Sequence, residues 1–166
     1  MATGVGLHEG SLLGPLQNKM QWEKVSGLVE DARARGARLV LGGDPDPGRP
    51  GYFYPKTMVA DIANDAPLVQ EEQFGLALPI IRYTGLEQAI EWASGVDVGL
   101  GASVWFPDGD KAKEVAARLQ AGTVWINAHG AIHPHVPFGG VKHSGYGLEF
   151  GVDGLKSVAV PQVISG

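Results

Sequence analysis

"LALPIIRYTGLEQAIEWASGVDVGLGASVWFPDGDKAKEVAARLQAGTVWIN" runs from Leu76 to Asn127, and its pattern decides the fold. "LALPIIRY" is short, apolar and β-branched at its centre, as a strand buried on both faces should be. "TGLEQAIEWASG" has helical spacing, with Thr84 and Glu87 placed for a capping box and Gly95 near the far end. "GASVWF" is a second strand. "DGDKAKEVAARLQAG" puts Ala112, Val115, Ala116 and Leu119 on one helical face, with Glu114 and Arg118 paired on the surface. "TVWIN" closes a strand–helix–strand–helix–strand run. Such a run predicts an α/β fold, an open and mostly parallel sheet with flanking helices, with ligands bound beyond the carboxyl ends of the strands.

Upstream, "PLQNKMQWEKVSGLVEDARARG" is a helix whose inner face carries Trp22, Val25, Leu28, Val29 and Ala32, and Gly36 stands where it should end. "ARLVLGG" is a short strand, "DPDPGRPG" a proline-rich turn, and "YFYPKTMVADI" a strand that Pro55 makes irregular. Downstream, "LKSVAVPQVISG" is expected as a last strand, interrupted by Pro161. The 166 residues are one ordinary domain in size and contain no internal repeat. Glycine is dense, 25 residues, but spread through periodic segments, which implies many tight turns rather than a linker.

Net charge is −5 and uneven: residues 1–60 hold seven basic and six acidic groups, residues 61–166 six basic and twelve acidic. No basic stripe exists, which argues against nucleic acid as a partner. No apolar run is long enough for a transmembrane helix, so no membrane is expected. The opening "MATGVGLHEGSLLG" has neither the charged nor the apolar region of a signal peptide, and a cytoplasmic location follows as the expectation. There is no cysteine, hence no disulfide and no thiolate nucleophile or ligand in this chain.

Three stretches invite a functional reading. Residues 121–151, "AGTVWINAHGAIHPHVPFGGVKHSGYGLEFG", hold four of the five histidines. His129, His133, His135 and His143 lie in a loop broken by Gly130 and Pro134, so their spacing carries no coordination geometry, and no metal is expected. "GVGLHEG", "GLGASV" and "GYGLEFG" each miss the dinucleotide fingerprint, by a missing strand, a following strand and one extra residue respectively; turn glycines account for all three. The pair Glu71 and Glu72, in "VQEEQFGLALPI", is an acidic turn or a sugar-diol acceptor: in an extended chain the two point to opposite sides, one to solvent and one inward.

The ordered set "GPLQNKMQWEKV", "EEQFGLALPIIRY", "GLGASVW", "AGTVWIN" and "PFGGVKHSGYGLEFG" closely resembles the C-terminal part of the aldehyde dehydrogenase superfamily, from Gly14 to Val163 and in the family's order. The resemblance implies that Glu72 binds the hydroxyls of the nicotinamide ribose, that Phe74 lies beside the nicotinamide ring, and that Phe138 lines the substrate tunnel. Glu149 would stand where the family has a carboxylate discussed as a proton relay, and the glycines of 139–147 would be tight turns. Leu76 and Leu148 depart from the usual Pro and Arg of those motifs. The family's chemistry uses a Cys thiolate that attacks the aldehyde, hydride transfer to the nicotinamide, a Glu that activates water and an Asn amide on the oxyanion. By the resemblance the nucleophile, and earlier still the adenine-binding domain, precede residue 1.

The expectation is therefore the C-terminal portion of an NAD(P)-dependent aldehyde dehydrogenase, inactive alone and binding neither NAD nor NADP tightly by itself. Residues 14–150 would be the α/β catalytic-domain region and 151–166 an oligomerisation-type strand within one partial domain of 1–166. An aldehyde is the expected substrate of the intact enzyme, and a homo-oligomer its expected state. A non-catalytic association module that pairs with full-length subunits is the alternative, and an unrelated small nucleotide-binding domain ranks last because no loop has a complete phosphate motif.

Overall fold

The computed structural model describes residues 2–166, Ala2 through its backbone alone. The chain divides into two compact units, Met1–Arg82 and Tyr83–Gly166. No shift in composition marks the division.

In the first unit, β1 (Ala2–Thr3) and β2 (Ser11–Leu13) form a small parallel pair. Asn18 then starts α1 (Lys19–Ala34): its Oδ1 accepts the Gln21 N–H at 2.8 Å, satisfying one of the donors a helix start leaves free. The helix stops at Gly36, whose φ of +88° no β-carbon opposes; Gly36 N–H reaches Arg33 C=O and Ala37 N–H reaches Ala32 C=O, the two bonds of a Schellman end. The expected inner face is buried: Val25, Leu28, Val29 and Ala32 pack with Tyr54, Val59, Ile62, Leu68 and Ala77, and Trp22 lies against them. Burial pushes the Tyr54 phenol up to about 12, so it stays neutral, its hydroxyl facing Gly43 C=O at 3.4 Å.

The sheet of this unit is β3 (Arg38–Leu41), β4 (Thr57–Ala60) and β5 (Ala77–Ile80), with the four-residue helix α2 (Pro67–Gln70) between the last two. β3 runs antiparallel to β4, and β4 parallel to β5 in the register Thr57↔Ala77 to Ala60↔Ile80. The strand expected from Tyr52 is shorter than its apolar pattern and begins only at Thr57, beyond Pro55, which offers no N–H to a ladder.

The second unit holds α3 (Leu86–Gly95), β6 (Val98–Gly99), β7 (Gly101–Val104), α4 (Gly109–Ala116) and β8 (Thr123–Ile126). β7–α4–β8 is the expected parallel crossover, in the register Gly101↔Thr123 to Val104↔Ile126. Ala112 and Val115 are buried with Ile90 and Val104, and Ala116 and Leu119 lie against them. β9 (Phe138–Gly139), β10 (Val141–Lys142) and β11 (Leu148–Glu149) follow, β9 paired antiparallel with β11 and β10 with β6, before α5 (Gly151–Ser157).

Three local expectations fail for identifiable reasons. The capping box is shifted by one position: Gly85 is the cap, and Gln88 Oε1 accepts both the Thr84 N–H at 2.9 Å and the Thr84 hydroxyl at 3.2 Å. Arg118 lies past the end of α4, where the i,i+4 spacing no longer holds, so it leaves Glu114 to Lys111 and forks onto Glu87, donating Nη1 to Oε1 at 2.9 Å and Nη2 to Oε2. The terminal strand is not formed: Val158 to Gly166 follow α5 without a partner strand among the described residues, and Val158, Val160, Val163 and Ile164 are 82–93% exposed. Pro161 contributes no N–H to a ladder, and a lone strand leaves its backbone groups to water. Among the described residues no helix is long and apolar enough to cross a membrane.

The Glu87–Arg118 fork has a pH signature. The hydrogen bond from Arg118, and next its charge, hold the Glu87 carboxyl below its ordinary 4.5. A carboxyl whose folded value is depressed stabilises the fold above its unfolded value, and that contribution is lost as pH falls through the folded one. Glu87→Gln should therefore lower the melting temperature near pH 7, and by less at a pH below the ordinary carboxylate range. An equal deficit at both pH values, measured by thermal melts, would show that the side chain acts by something other than its charge.

Candidate functional site

The first candidate is the loop from Glu71 to Gly75, between α2 and β5. Glu71 and Glu72 are both exposed, which corrects the expectation that one turns inward. The backbone is not extended throughout: Phe74 has a φ of +46°, rare for a bulky residue, and this left-handed step throws its ring out to 80% exposure. Glu71 faces Lys24 Nζ at 3.6 Å, whereas the Glu72 carboxylate has no partner among the described residues. What Lys24 does hold is the Glu72 backbone, donating to its C=O at 2.8 Å. One helical turn earlier, Gln21 Nε2 donates to Gln73 C=O. Gly75 lies so close to α1 that a β-carbon there would come within 2.5 Å of Val25 Cγ2. The result is a carboxylate and a flat ring, two residues apart, both presented to solvent on a loop tied to α1.

The second candidate is the glycine-dense segment of the other unit. Asn127 ends β8 with a φ of +50° and clasps Phe106 on both sides, its Oδ1 accepting the Phe106 N–H and its Nδ2 donating to Phe106 C=O, each at 2.9 Å. His129 Nδ1 lies 2.6 Å from Ser103 Oγ, and its ring meets Trp125 edge-on at 5.1 Å. Trp125 Nε1 donates to Ala131 C=O at 2.7 Å. Beyond this lies a cavity of about 170 Å³ lined by Trp125, Ile132, His133, Val136, Pro137 and Phe138. Among the described residues no three His, Cys, Asp or Glu side chains converge as a metal site would require.

Of the glycines expected as tight turns, Gly145 sits in one at φ +91°, whereas Gly139 and Gly140, like Gly122 upstream, are points of close approach. A β-carbon on Gly122 would lie 1.7 Å from Gly139 O, and one on Gly139 would lie 2.4 Å from Gly147 O. Three stretches of bare backbone are stacked, and the Phe138 strand is held between the other two. Lys142 anchors the far end: its Nζ donates to Ser94 C=O at 2.5 Å and Val96 C=O at 2.8 Å, the free carbonyls at the end of α3. That ammonium does what Gly95 was expected to do. Glu149, paired in register with Phe138, is exposed.

The Aldehyde dehydrogenase family model matches residues 1–164. This chain belongs to the aldehyde dehydrogenase family. The betaine aldehyde dehydrogenase of Cereibacter sphaeroides is 43% identical to it over 139 residues, 84% of this chain and 29% of that protein. The solved aldehyde dehydrogenase of Mycobacterium tuberculosis complexed with NAD+ is 37% identical with a TM-score of 0.86, over 93% of this chain and 32% of the other. The Staphylococcus aureus betaine aldehyde dehydrogenase in complex with NAD+ is 31% identical with a TM-score of 0.86, over 98% and 34%. The chain thus spans about a third of the length of the aldehyde dehydrogenases it matches, 32% of the curated relative at 42% identity. Its α/β fold is that of aldehyde dehydrogenase chains.

The structure places the three sequence-predicted residues in two groups: Glu72 and Phe74 together in the first unit, Phe138 in the second. Sequence reasoning passed over Gln21 and Lys24, which reach the Glu72 loop across about fifty residues. One signal was available: two polar side chains three apart, beside the inner face of an amphipathic helix.

Proposed function

We propose that this chain supplies the nicotinamide-ribose side of the cofactor site, and one wall of the aldehyde channel, of an NAD(P)-dependent aldehyde dehydrogenase. The observation that carries the reading is the exposed Glu72 carboxylate, without a partner among the described residues, beside the exposed ring of Phe74. A carboxylate accepts hydrogen bonds from two adjacent hydroxyls, and a flat aromatic face suits a flat heterocycle. The residues present therefore fit a nicotinamide ribonucleotide. Glu72 would hold the ribose, Phe74 would border the ring, and Phe138 would give the aldehyde an apolar wall. The bound cofactor supplies a hydride acceptor. The NAD+ complexes of the solved relatives support the cofactor class.

The chain titrated with nicotinamide mononucleotide should show amide shifts concentrated at residues 72–75 by NMR. Glu72→Gln should weaken that binding by about tenfold, the scale of a charged hydrogen bond lost. Unchanged affinity in that variant would remove Glu72 from the site.

A second reading, the association module, draws on the exposed apolar residues Val158, Val160, Val163 and Ile164. Such a run prefers a partner to water. Light scattering at tens of micromolar (a range in which exposed apolar surface associates) should give a dimer or larger; a monomer mass of 17.5 kDa would speak against it.

A further inference from the structure

We infer that Lys24 and Gln21 are positioning residues that hold the Glu72–Gly75 loop in its ligand-ready shape before any cofactor arrives. The inference rests on the reading of Glu72 and Phe74 just given and adds what sets their geometry.

Four residues concentrate three unfavourable features. Phe74 is left-handed at φ +46°, its ring is 80% exposed, and the buried Gln73 Oε1 has no hydrogen-bond partner among the described residues. A loop free to relax would bury the ring, pair the amide and return Phe74 to an ordinary conformation, so surrounding contacts must over-determine its shape. The contacts come from α1. Lys24 Nζ takes Glu72 C=O at 2.8 Å while facing Glu71 at 3.6 Å, and Gln21 Nε2 takes Gln73 C=O. Two successive carbonyls are drawn to one helix face by side chains three residues apart, which fixes the two peptide planes ahead of Phe74. Behind it, Gly75 sits against Val25, and Gln73 Nε2 donates to Ala77 C=O at 2.7 Å. Both ends of Phe74 are thereby anchored, and its ring has only the outward direction left.

The test is ¹⁵N relaxation and φ-sensitive coupling measurements on the full chain, without ligand, for the parent, Lys24→Met, Lys24→Arg and Gln21→Leu. The parent should show residues 72–75 rigid, with an order parameter of about 0.85, and Phe74 at positive φ. Lys24→Met and Gln21→Leu should drop the loop below about 0.6 and average the Phe74 coupling. Lys24→Arg, which can still donate to a carbonyl and pair with Glu71, should restore both. Slow amide exchange at Val25 and Val29 reports that α1 is intact in every variant. A loop that stays rigid and left-handed in both Lys24→Met and Gln21→Leu would overturn the inference. So would a mobile loop in the parent. Nicotinamide mononucleotide added afterwards tests the cofactor reading separately: a rigid loop with no shift at 72–75 would sink that reading and leave the positioning role standing.

Discussion

Incubated with NAD or NADP and a panel of short and aromatic aldehydes, this chain by itself should give no reduced cofactor above background. It holds no cysteine, so the thiolate attack by which the family's mechanism captures its aldehyde has no nucleophile here. Removing the nucleophile from a covalent mechanism costs several orders of magnitude in rate, roughly 10⁶ where it has been dissected. Binding is short as well. Glu72 and Phe74 can meet one end of a dinucleotide, and one carboxylate with one ring does not offset the freedom lost in fixing the whole molecule. Absorbance of the reduced cofactor is the readout. Turnover that disappears in Glu72→Gln would place the chemistry inside this chain and overturn the assignment. A flat trace that becomes active when the other two thirds of a relative is added in trans would support a split enzyme.

Gly122→Ala should be the most damaging single methyl in the second unit. The added carbon would stand 1.7 Å from Gly139 O and 2.7 Å from Gly139 C, and both obstacles are backbone, which cannot swing away as a side chain could. Gly139 cannot retreat either, because Gly147 O lies behind it, 2.4 Å from where its own β-carbon would be. Relief requires the Phe138 strand to lift from the start of β8, and its pairing with β11 would move with it. Overpacking of well-fitted interiors costs about 1–3 kcal/mol, and a clash against backbone on both sides belongs at or above the upper end. Denaturant unfolding of the variant should show that loss. Gly109→Ala is the control: nothing lies within 4 Å of a β-carbon there, and it opens α4, so stability should hold or rise slightly. Equal stability of the two variants would mean that the strand stack is not rigid.

Elements with strong period were legible in the residues, and contacts between distant segments were not. The inner face of α1 and its end at Gly36 follow from spacing and from glycine's freedom at positive φ, both local properties. The β7–α4–β8 crossover follows in the same way. Glu87, by contrast, could be assigned a partner only from its own helix, and the partner it finds is thirty-one residues away. Glycines 139 and 140 were expected as turns but serve as points of close approach, a role that depends on what lies opposite. The terminal segment failed for a related reason: apolar, β-branched composition shows a capacity to pair, and pairing needs an edge that no composition reveals. For the candidate site, the motif singled out Glu72 and Phe74, but the left-handed backbone at Phe74 and its ties to Gln21 and Lys24 required coordinates.

The ammonium of Lys142 on the last carbonyls of α3 also has a meaning in time. Those bonds join positions 48 and 46 residues apart, and Ser144 Oγ accepts the Gly99 N–H across 45. A growing polypeptide therefore completes the capping of the first helix of this unit only after the ribosome has made 60 of the unit's 84 residues, Tyr83 to Lys142. Closing so long a loop costs entropy before any bond repays it. Until Lys142 and Ser144 emerge, the last carbonyls of α3 and the Gly99 N–H are left to water.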